Sequence, residues 1–318
     1  MSNYLRFQRE ILPILAPSLR KLIASLPQNL VGALEELRLR ALRPLGVVCN
    51  RGDGFLQASG RIVSEPERGY MVTREELATT VELISQHSLY AYVEEMRHGY
   101  ITIPGGHRVG LCGRTVVEER RVVLLRDIQS LNIRISRQVL GAADSVMEHI
   151  LGPCGRICST LILSPPGCGK TTLLRDIARQ LSRGIPRLGF PGVQVAVVDE
   201  RSEIGGCYQG VPQNDLGPRT DVLDGCPKAQ GIMMLLRSMG PRVIVTDEIG
   251  SLEDARAIQE ALLGGVSIIT TAHGSDLEDV VRRFDLSAEF LTKSFQKVIV
   301  LSRRQGPGTI QKVLELGK

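Results

Sequence analysis

The sequence predicts an α/β chain in two parts, a smaller α+β domain followed by a larger domain built on a mostly parallel sheet. A Gly-rich stretch at residues 164–172 joins an apolar run to a helical pattern. Four further apolar runs follow it, with helical patterns between most of them. Before it, alternating runs and a helix-capping sequence mix strands with helices. The predicted domains are residues 1–138 and 139–318.

The composition is that of a globular protein with more than one core, with 318 residues, 43% hydrophobic and 23% charged. No apolar run reaches the roughly 18 residues of a spanning helix, and the N-terminus lacks a signal-peptide pattern, so we expect a cytoplasmic protein without a transmembrane segment. Seven scattered cysteines argue against a disulfide framework, and Cys154 and Cys158 lack a second ligand pair for zinc. A net charge of +5 suits any anionic partner, while 4% aromatic residues argue modestly against base stacking.

The first domain is predicted to mix short helices and strands. Residues 4–26 have helical spacing interrupted by Pro13 and Pro17, which predicts two short helices with a break between them. Residues 73–88 begin with the capping box Thr-Arg-Glu-Glu and place apolar residues at i, i+4 and i+7, which predicts another helix. Alternating or apolar runs predict strands at residues 34–40, 45–49, 100–103, 108–111 and 131–135.

The second domain is predicted to alternate strands with helices. We expect a helix over residues 137–151, then a strand at 160–163, the Gly-rich loop, and a helix over 173–181. Continuous apolar runs are typical of parallel strands buried on both faces, and they recur at residues 195–198, 243–246, 267–270 and 298–301. Because ligands in such sheets bind at the carboxyl ends of the strands, the residues that follow each strand are candidates for a site.

The Gly-rich stretch has the form of a phosphate-binding loop between a strand and a helix. Glycines let backbone N–H groups converge on phosphates, the helix N-terminus adds partial positive charge, and Lys170 can bridge the outer phosphates. Ser164 replaces the first glycine of the usual Gly-x-x-x-x-Gly-Lys-Ser/Thr pattern, and its Cβ would strain the loop if that position needs a positive φ. The alternative is a chance Gly-rich turn. The predicted nucleotide-binding residues are Ser164, Pro165, Pro166, Gly167, Cys168, Gly169, Lys170, Thr171 and Thr172.

An adjacent pair of acids follows the third strand of this domain. Asp247 is placed to hold Mg2+ through water, with the Thr171 hydroxyl as the second predicted metal ligand. Glu248 is the candidate base that orients or deprotonates a water molecule; alternatively, the acids cap the next helix. Two adjacent acids, together with the absence of an Asn-Lys-x-Asp guanine signature, favour ATP over GTP.

Four further residues are candidate catalytic groups. Glu200, after the second strand, could complete the metal and water shell or cap a neighbouring segment, as could Asp199. His273, at the end of the fourth strand, could sense the terminal phosphate or pair with Glu248; a purely structural hydrogen bond is the alternative. Arg219 or Arg237 could stabilise charge on the transferred phosphoryl group, within the subunit or across an interface.

Several strings of residues resemble the family of stage III sporulation protein AA, within the superfamily of type II and type IV secretion ATPases. In the second domain these are DERSEI at 199–204, QND at 213–215, RTDVLD at 219–224, CPKA at 226–229, LRSM at 236–239, DEIG at 247–250 and TTAHG at 270–274. In the first domain they are EELRLR at 35–40, RP at 43–44, GGHRVG at 105–110 and NIRI at 132–135.

The resemblance implies a P-loop, RecA-like ATPase domain that works as a hexameric ring. It matches Asp199-Glu200 to the acidic box of secretion ATPases and residues 271–274 to their His box. It further implies that the first domain of a neighbouring subunit can supply an arginine in trans, which makes Arg108, Arg114 and Arg134 candidates. Membrane proteins of a sporulation channel are the implied partners, and the implied location is the mother-cell cytoplasm, at the inner face of a membrane.

We therefore expect a Mg2+-dependent ATPase that hydrolyses ATP to ADP and phosphate and drives assembly of, or transport through, a transenvelope channel. Two alternatives stay open. One is a nucleic-acid-dependent motor, which the fold and charge permit although nucleic acid is the less expected partner. The other is a non-hydrolysing, nucleotide-gated assembly module, which the Ser164 departure leaves open.

Overall fold

The computed structural model describes residues 3–50, 52–86, 92, 96, 99–119, 121–284, 287–304, 306 and 308–316. The chain divides into two compact units, Met1–Arg137 and Gln138–Lys318, each with its own apolar core. Within the described residues, no helix combines the length and the apolar character needed to cross a membrane.

The first unit packs helices against an antiparallel sheet. Its helices are α1 (Asn3–Glu10), α2 (Pro17–Ala24), α3 (Gln28–Ala33) and α4 (Arg74–Ile84). Its strands are β1 (Leu34–Arg40), β2 (Arg43–Pro44), β3 (Gly46–Cys49), β4 (Gly52–Leu56), β5 (Ile62–Val63), β6 (Met71–Val72), β7 (Tyr100–Ile103), β8 (His107–Glu118) and β9 (Arg121–Arg134). The order in the main sheet is β5-β4-β3-β1-β9-β8-β7, and β2 pairs with β6.

Local signals in the sequence account for much of this unit. A 3-10 turn at Leu12–Ile14 separates α1 from α2, which confirms the predicted break. At the start of α4, the Thr73 hydroxyl accepts from the Glu76 N–H and the Glu76 carboxylate accepts from the Thr73 N–H, so the predicted capping box is confirmed. The last two residues of that predicted helix, 87 and 88, lie outside the described residues.

The second unit is an α/β layer structure around a mostly parallel sheet. Its strands are β10 (Thr160–Ser164), β11 (Val195–Asp199), β12 (Thr220–Asp224), β13 (Val243–Glu248), β14 (Ser267–His273), β15 (Lys297–Ser302) and β16 (Thr309–Glu315). Its helices are α5 (Asp144–Ile150), α6 (Lys170–Arg183), α7 (Lys228–Ser238), α8 (Leu252–Leu263), α9 (Leu277–Phe284) and α10 (Ala288–Ser294). The strand order is β12-β11-β13-β14-β10-β15-β16, and only β16 runs antiparallel among these described strands.

Both faces of this sheet are buried, which explains the continuous apolar runs. Ile162, Val197 and Val245 pack in one core with residues of α6, while their neighbours along the strands face a second core on the opposite side, with residues of α7 and α8. The predicted α/β class, with a parallel sheet in the second domain and an α+β first domain, is confirmed.

Two predicted elements were wrong in detail. The helix expected over residues 137–151 is reduced to α5, because Gly141 takes a positive φ of 81° and the Ala143 N–H donates to the Asp176 carboxylate instead of to a preceding turn. The polar segment 220–224, where the sequence predicted no strand, forms strand β12. It is an edge strand of intermediate burial, so it lacks the apolar run that marks the central strands.

Candidate functional site

The Gly-rich stretch joins the end of β10 to the start of α6, as the strand-loop-helix pattern predicts. Gly167 and Gly169 have φ values of 71° and 85°, a region that side chains with a Cβ rarely adopt. A Cβ on Gly167 would also lie 2.8 Å from the Arg303 guanidinium. Glycine is therefore required at 167 for its conformation, whereas the guanidinium is the far end of a flexible side chain and could move aside.

Ser164 does not strain this loop. It is the last residue of β10, fully buried, and paired in register with His273 of the parallel strand β14. Its φ is not among the positive values found in the chain, so the conformation that would penalise a Cβ is not used here. The strain considered from the sequence is absent because this position belongs to the strand and not to the turn.

Replacing Ser164 by glycine is therefore expected to leave nucleotide binding intact or slightly improved. Gly would remove the Ser164 hydroxyl, which donates to the Pro165 carbonyl, and would add backbone freedom at a strand end, costing roughly 0.5–1 kcal/mol of stability. Titration with a fluorescent ATP analogue together with thermal unfolding measures both effects. A large loss of affinity in Ser164→Gly would contradict this account.

Lys170, His273 and Glu248 form a connected row at the carboxyl edge of the sheet. Lys170 Nζ lies 2.8 Å from His273 Nδ1, and His273 Nε2 lies 2.7 Å from Glu248 Oε1. An ammonium donating to Nδ1 leaves the ring proton on Nε2, which then donates to the carboxylate. Lys170 Nζ is also 3.5 Å from Glu248 Oε1 and donates to the Ser164 carbonyl at 3.3 Å. Burial lowers the pKa of Lys170, whereas Glu248 raises it.

The strand order produces this row. Strand β14 lies between β10, which carries the loop, and β13, which carries the acids, so His273 stands between Lys170 and Glu248. A bulge adds one residue to β13: Val245 pairs with Ile269, but Glu248 pairs with Thr271. Bulges bend a strand and re-aim side chains. The bulge lies at the adjacent acids, and the side chains of both Asp247 and Glu248 line the same cavity.

Asp247 has the properties of a ligand for a hydrated divalent cation. Its Oδ1 atom is buried and accepts no hydrogen bond of acceptable geometry, although the Lys228 ammonium lies 3.2 Å away. Burial raises the pKa of Asp247, and Lys228 counteracts this. Thr171 lines the same cavity. A buried carboxylate oxygen and a hydroxyl on one cavity fit Mg2+, which takes one or two protein oxygens plus phosphates and water.

The two residues of the acidic box have different surroundings. The Asp199 carboxylate is fully buried and accepts from the backbone N–H groups of Glu203 at 2.8 Å and Gly205 at 2.7 Å. Burial raises its pKa to about 6, against the opposing effect of these hydrogen bonds. Asp199 therefore shapes the loop after β11. Glu200 instead lines the cavity, with Oε2 3.4 Å from Lys228 Nζ.

The structure does not bring the two predicted arginines of this unit to the site. Arg219 precedes β12 at the amino edge of the parallel sheet, where its guanidinium donates to the Ser182 carbonyl at 2.7 Å. Arg237 is exposed in the last turn of α7, about 14 Å along the helix from Lys228 at a rise of 1.5 Å per residue. Within one chain, neither can act on the phosphates. Arg108, Arg114 and Arg134 lie on β8 and β9 of the first unit.

Two residues of the site escaped the sequence prediction. Lys228 is the first residue of α7, and its ammonium contacts Asp247, Glu200 and the Glu248 carbonyl. Arg303 follows β15, and its Nε donates to the Gly167 carbonyl at 2.7 Å. Both residues follow a strand of the sheet, where ligands of α/β proteins bind. Arg303 comes directly after β15, so the strand-end rule could have identified it. Lys228 follows β12, which was not predicted as a strand.

The residues of the site enclose a cavity of about 270 Å³ at the carboxyl edge of the sheet. A larger cavity of about 610 Å³ lies on the same unit beyond the amino ends of the strands, lined by Arg156, Arg242 and Lys293 among others. Among the described residues that line this larger cavity, none is a carboxylate and none belongs to the Gly-rich loop. We therefore assign the chemistry to the smaller cavity, whose lining includes Lys170, Thr171, Glu200, Lys228, Asp247, Glu248 and His273.

Comparison with known proteins agrees with the resemblance seen in the sequence. The family profile described as "Sporulation stage III, protein AA" matches residues 5–316. The chain belongs to this family. It is 41% identical over 306 residues to the Stage III sporulation protein AA of Bacillus subtilis (strain 168), which covers 96% of this chain and 94% of that protein.

Members of the secretion ATPase superfamily share the fold of this family member. The crystal structure of the pilus retraction motor PilT with bound ADP has a TM-score of 0.60 at 15% identity, covering 97% of this chain and 84% of PilT. The ATPase DotB of Yersinia pseudotuberculosis has a TM-score of 0.59 at 12% identity, covering 90% of this chain and 76% of DotB. At such identities the likeness shows a common RecA-like fold.

Proposed function

We propose that this protein binds ATP with Mg2+ and hydrolyses it to ADP and phosphate. The observation that carries the proposal is the convergence of Lys170, Glu248 and His273 at 2.7–3.5 Å beside a phosphate-type loop. A strand-loop-helix of this kind presents backbone N–H groups to phosphates, and the acids beside it suit a metal and a water nucleophile. The fold shared with ATPases supports the same reading.

Each residue of the row has a definite task in this reaction. Lys170 moves from the Ser164 carbonyl and the His273 ring to the outer phosphates, where its charge is needed. Glu248 orients the attacking water and takes its proton, while the Nε2 proton of His273 holds that carboxylate in place. Thr171 and Asp247 would hold Mg2+, which neutralises charge on the β- and γ-phosphates when bound.

We further propose that the ATPase is a homohexameric ring whose motions drive a sporulation channel. Membership of the sporulation family supports the process, and the ring is what the resemblance of its sequence to secretion ATPases implies. Because Arg219 and Arg237 do not reach the cavity of their own chain, the charge on the transferred phosphoryl group is assigned to an arginine of a neighbouring subunit. Membrane proteins of the channel are the proposed partners, at the cytoplasmic face on the mother-cell side.

One experiment tests both parts of the proposal. The purified protein is sized by light scattering with and without ATP and Mg2+, while phosphate release is measured in the same samples. We expect hydrolysis, together with a shift to a six-subunit species when nucleotide is present. A protein that stays monomeric and releases no phosphate would contradict the ring-motor proposal.

The same assay separates the alternatives. Stimulation by DNA or RNA, with an affinity that falls steeply with salt, would favour a nucleic-acid-dependent motor. Assembly on ATP without any phosphate release would favour a nucleotide-gated assembly module.

A further inference from the structure

Lys228 is a buried cation placed among the acids of the site. Its side chain is 5% exposed, and Nζ lies 3.2 Å from Asp247 Oδ1 and 3.4 Å from Glu200 Oε2. The ammonium also donates to the backbone carbonyl of Glu248. It therefore contacts three acidic residues that line the cavity, one of them through its backbone.

The position of this lysine in its helix runs against local preference. Lys228 is the first residue of α7, where the unpaired N–H groups and the helix dipole favour negative charge. No side-chain cap offsets this cost, since the preceding residue is Pro227. Residues that break a local rule are typical of functional positions. The compensation here is the pair of carboxylates, of Asp247 and Glu200, beside the lysine ammonium.

We propose that Lys228 competes with the divalent cation for Asp247 and Glu200, so that the protein alone binds Mg2+ weakly and the phosphates of ATP must bring it in. This inference rests on the proposed ATPase function and adds that Mg2+ enters the site together with ATP and not before it. The ammonium supplies the positive charge that the two carboxylates need without a metal. A cation held through Asp247 would lie within a few ångströms of Nζ, and like charges at that separation repel.

The repulsion is large enough to measure. Between charges of +1 and +2 a few ångströms apart, Coulomb repulsion corresponds to about tenfold in affinity even with the dielectric constant of water, and to more in a partly buried site. ATP reverses the balance because its phosphates contribute negative charge to the same cavity. Lys228 would then serve as a positioning residue that prevents Asp247 and Glu200 from binding a metal until ATP is present.

The test is Mn2+ binding to the protein without nucleotide, followed by the electron paramagnetic resonance signal of free Mn2+. Lys228→Gln removes the charge but keeps a donor for the Glu248 carbonyl, and Lys228→Met removes both. We expect both variants to bind Mn2+ at least about tenfold more tightly than the parent, and Lys228→Arg to bind as the parent does. Lys293→Met, an equal change of net charge at an exposed lysine, should leave Mn2+ affinity unchanged.

A double variant and a stability measurement test whether the gain in Mn2+ affinity comes from Asp247. Adding Asp247→Asn to Lys228→Gln should abolish the gain in Mn2+ affinity. If loss of the charge destabilises the fold, Mn2+ should raise the melting temperature of Lys228→Gln more than that of the parent. Equal Mn2+ affinity in parent and variants, or a destabilised variant that Mn2+ does not protect, would overturn the inference and leave Lys228 a structural residue.

A separate titration tests the proposed ATPase function independently of the inference about Lys228. A fluorescent ATP analogue titrated in EDTA measures nucleotide binding without metal. If the parent protein binds the analogue neither in EDTA nor with Mg2+, the ATPase proposal fails, whereas the Mn2+ comparison still reports on Lys228. If the analogue binds but the Mn2+ affinities agree, only the inference about Lys228 fails.

Discussion

Replacing Lys170 by alanine is expected to weaken ATP binding at least about hundredfold, beyond detection in a micromolar titration. The Lys170 ammonium is the cation that would reach the outer phosphates, and each charge-assisted hydrogen bond lost costs about 1.5–3 kcal/mol. Two such bonds correspond to two or more factors of ten in affinity. A fluorescent ATP analogue, titrated with and without Mg2+, measures the loss.

The controls for Lys170→Ala test charge and folding separately. Lys293→Ala removes the same charge from an exposed position on α10 and should bind ATP as the parent does. Circular dichroism should show an intact fold in Lys170→Ala, because Lys170 is the first residue of α6 and alanine is a good helix former. ATP binding of parental strength by Lys170→Ala would show that the nucleotide does not occupy this loop.

Replacing Glu248 by glutamine is expected to lower steady-state phosphate release by about 10²–10⁴-fold while ATP still binds. Gln keeps the size of the side chain and can still pair with His273, but it cannot take a proton from water, and general-base catalysis contributes about that factor. Phosphate release, measured beside nucleotide binding in the same preparation, separates catalysis from affinity.

Glu253→Gln is the matched control for Glu248→Gln. Glu253 is exposed in the first turn of α8, five residues along the chain, and its change should leave phosphate release unaltered. Unchanged hydrolysis in Glu248→Gln would exclude Glu248 as the base. Assembly on ATP in a parent that never releases phosphate would instead support the nucleotide-gated module.

Much of this architecture could be predicted because its signals are local. The strand-loop-helix around Lys170 follows from an apolar run, two glycines and a helical pattern. The capping box at Thr73 and the break between α1 and α2 depend on neighbouring residues alone. The parallel sheet follows from apolar runs without alternation, because both faces of its central strands are covered.

The prediction was weakest where a residue's role depends on its position at the sheet edge. Strand β12 has intermediate burial throughout, so its polar sequence TDVLD carries no strand pattern of its own. Because β12 was not recognised as a strand, Arg219 was a candidate for the phosphate site, although it lies at the amino edge of the sheet, opposite to that site. The place of Lys228 in the site was not predicted for the same reason, since its position at the carboxyl edge follows from β12 ending at Asp224.

The sequence by itself determined the family, the two-part α/β organisation and the Gly-rich strand-loop-helix, since these depend on periodicity, glycine chemistry and family-specific strings. Only the tertiary structure decided that β14 separates the loop strand from the acid strand, which places His273 between Lys170 and Glu248. It also decided that Lys228 lies against Asp247, nineteen positions away in the chain. Strand order and contacts between distant residues arise from packing the whole sheet, and no local pattern encodes them.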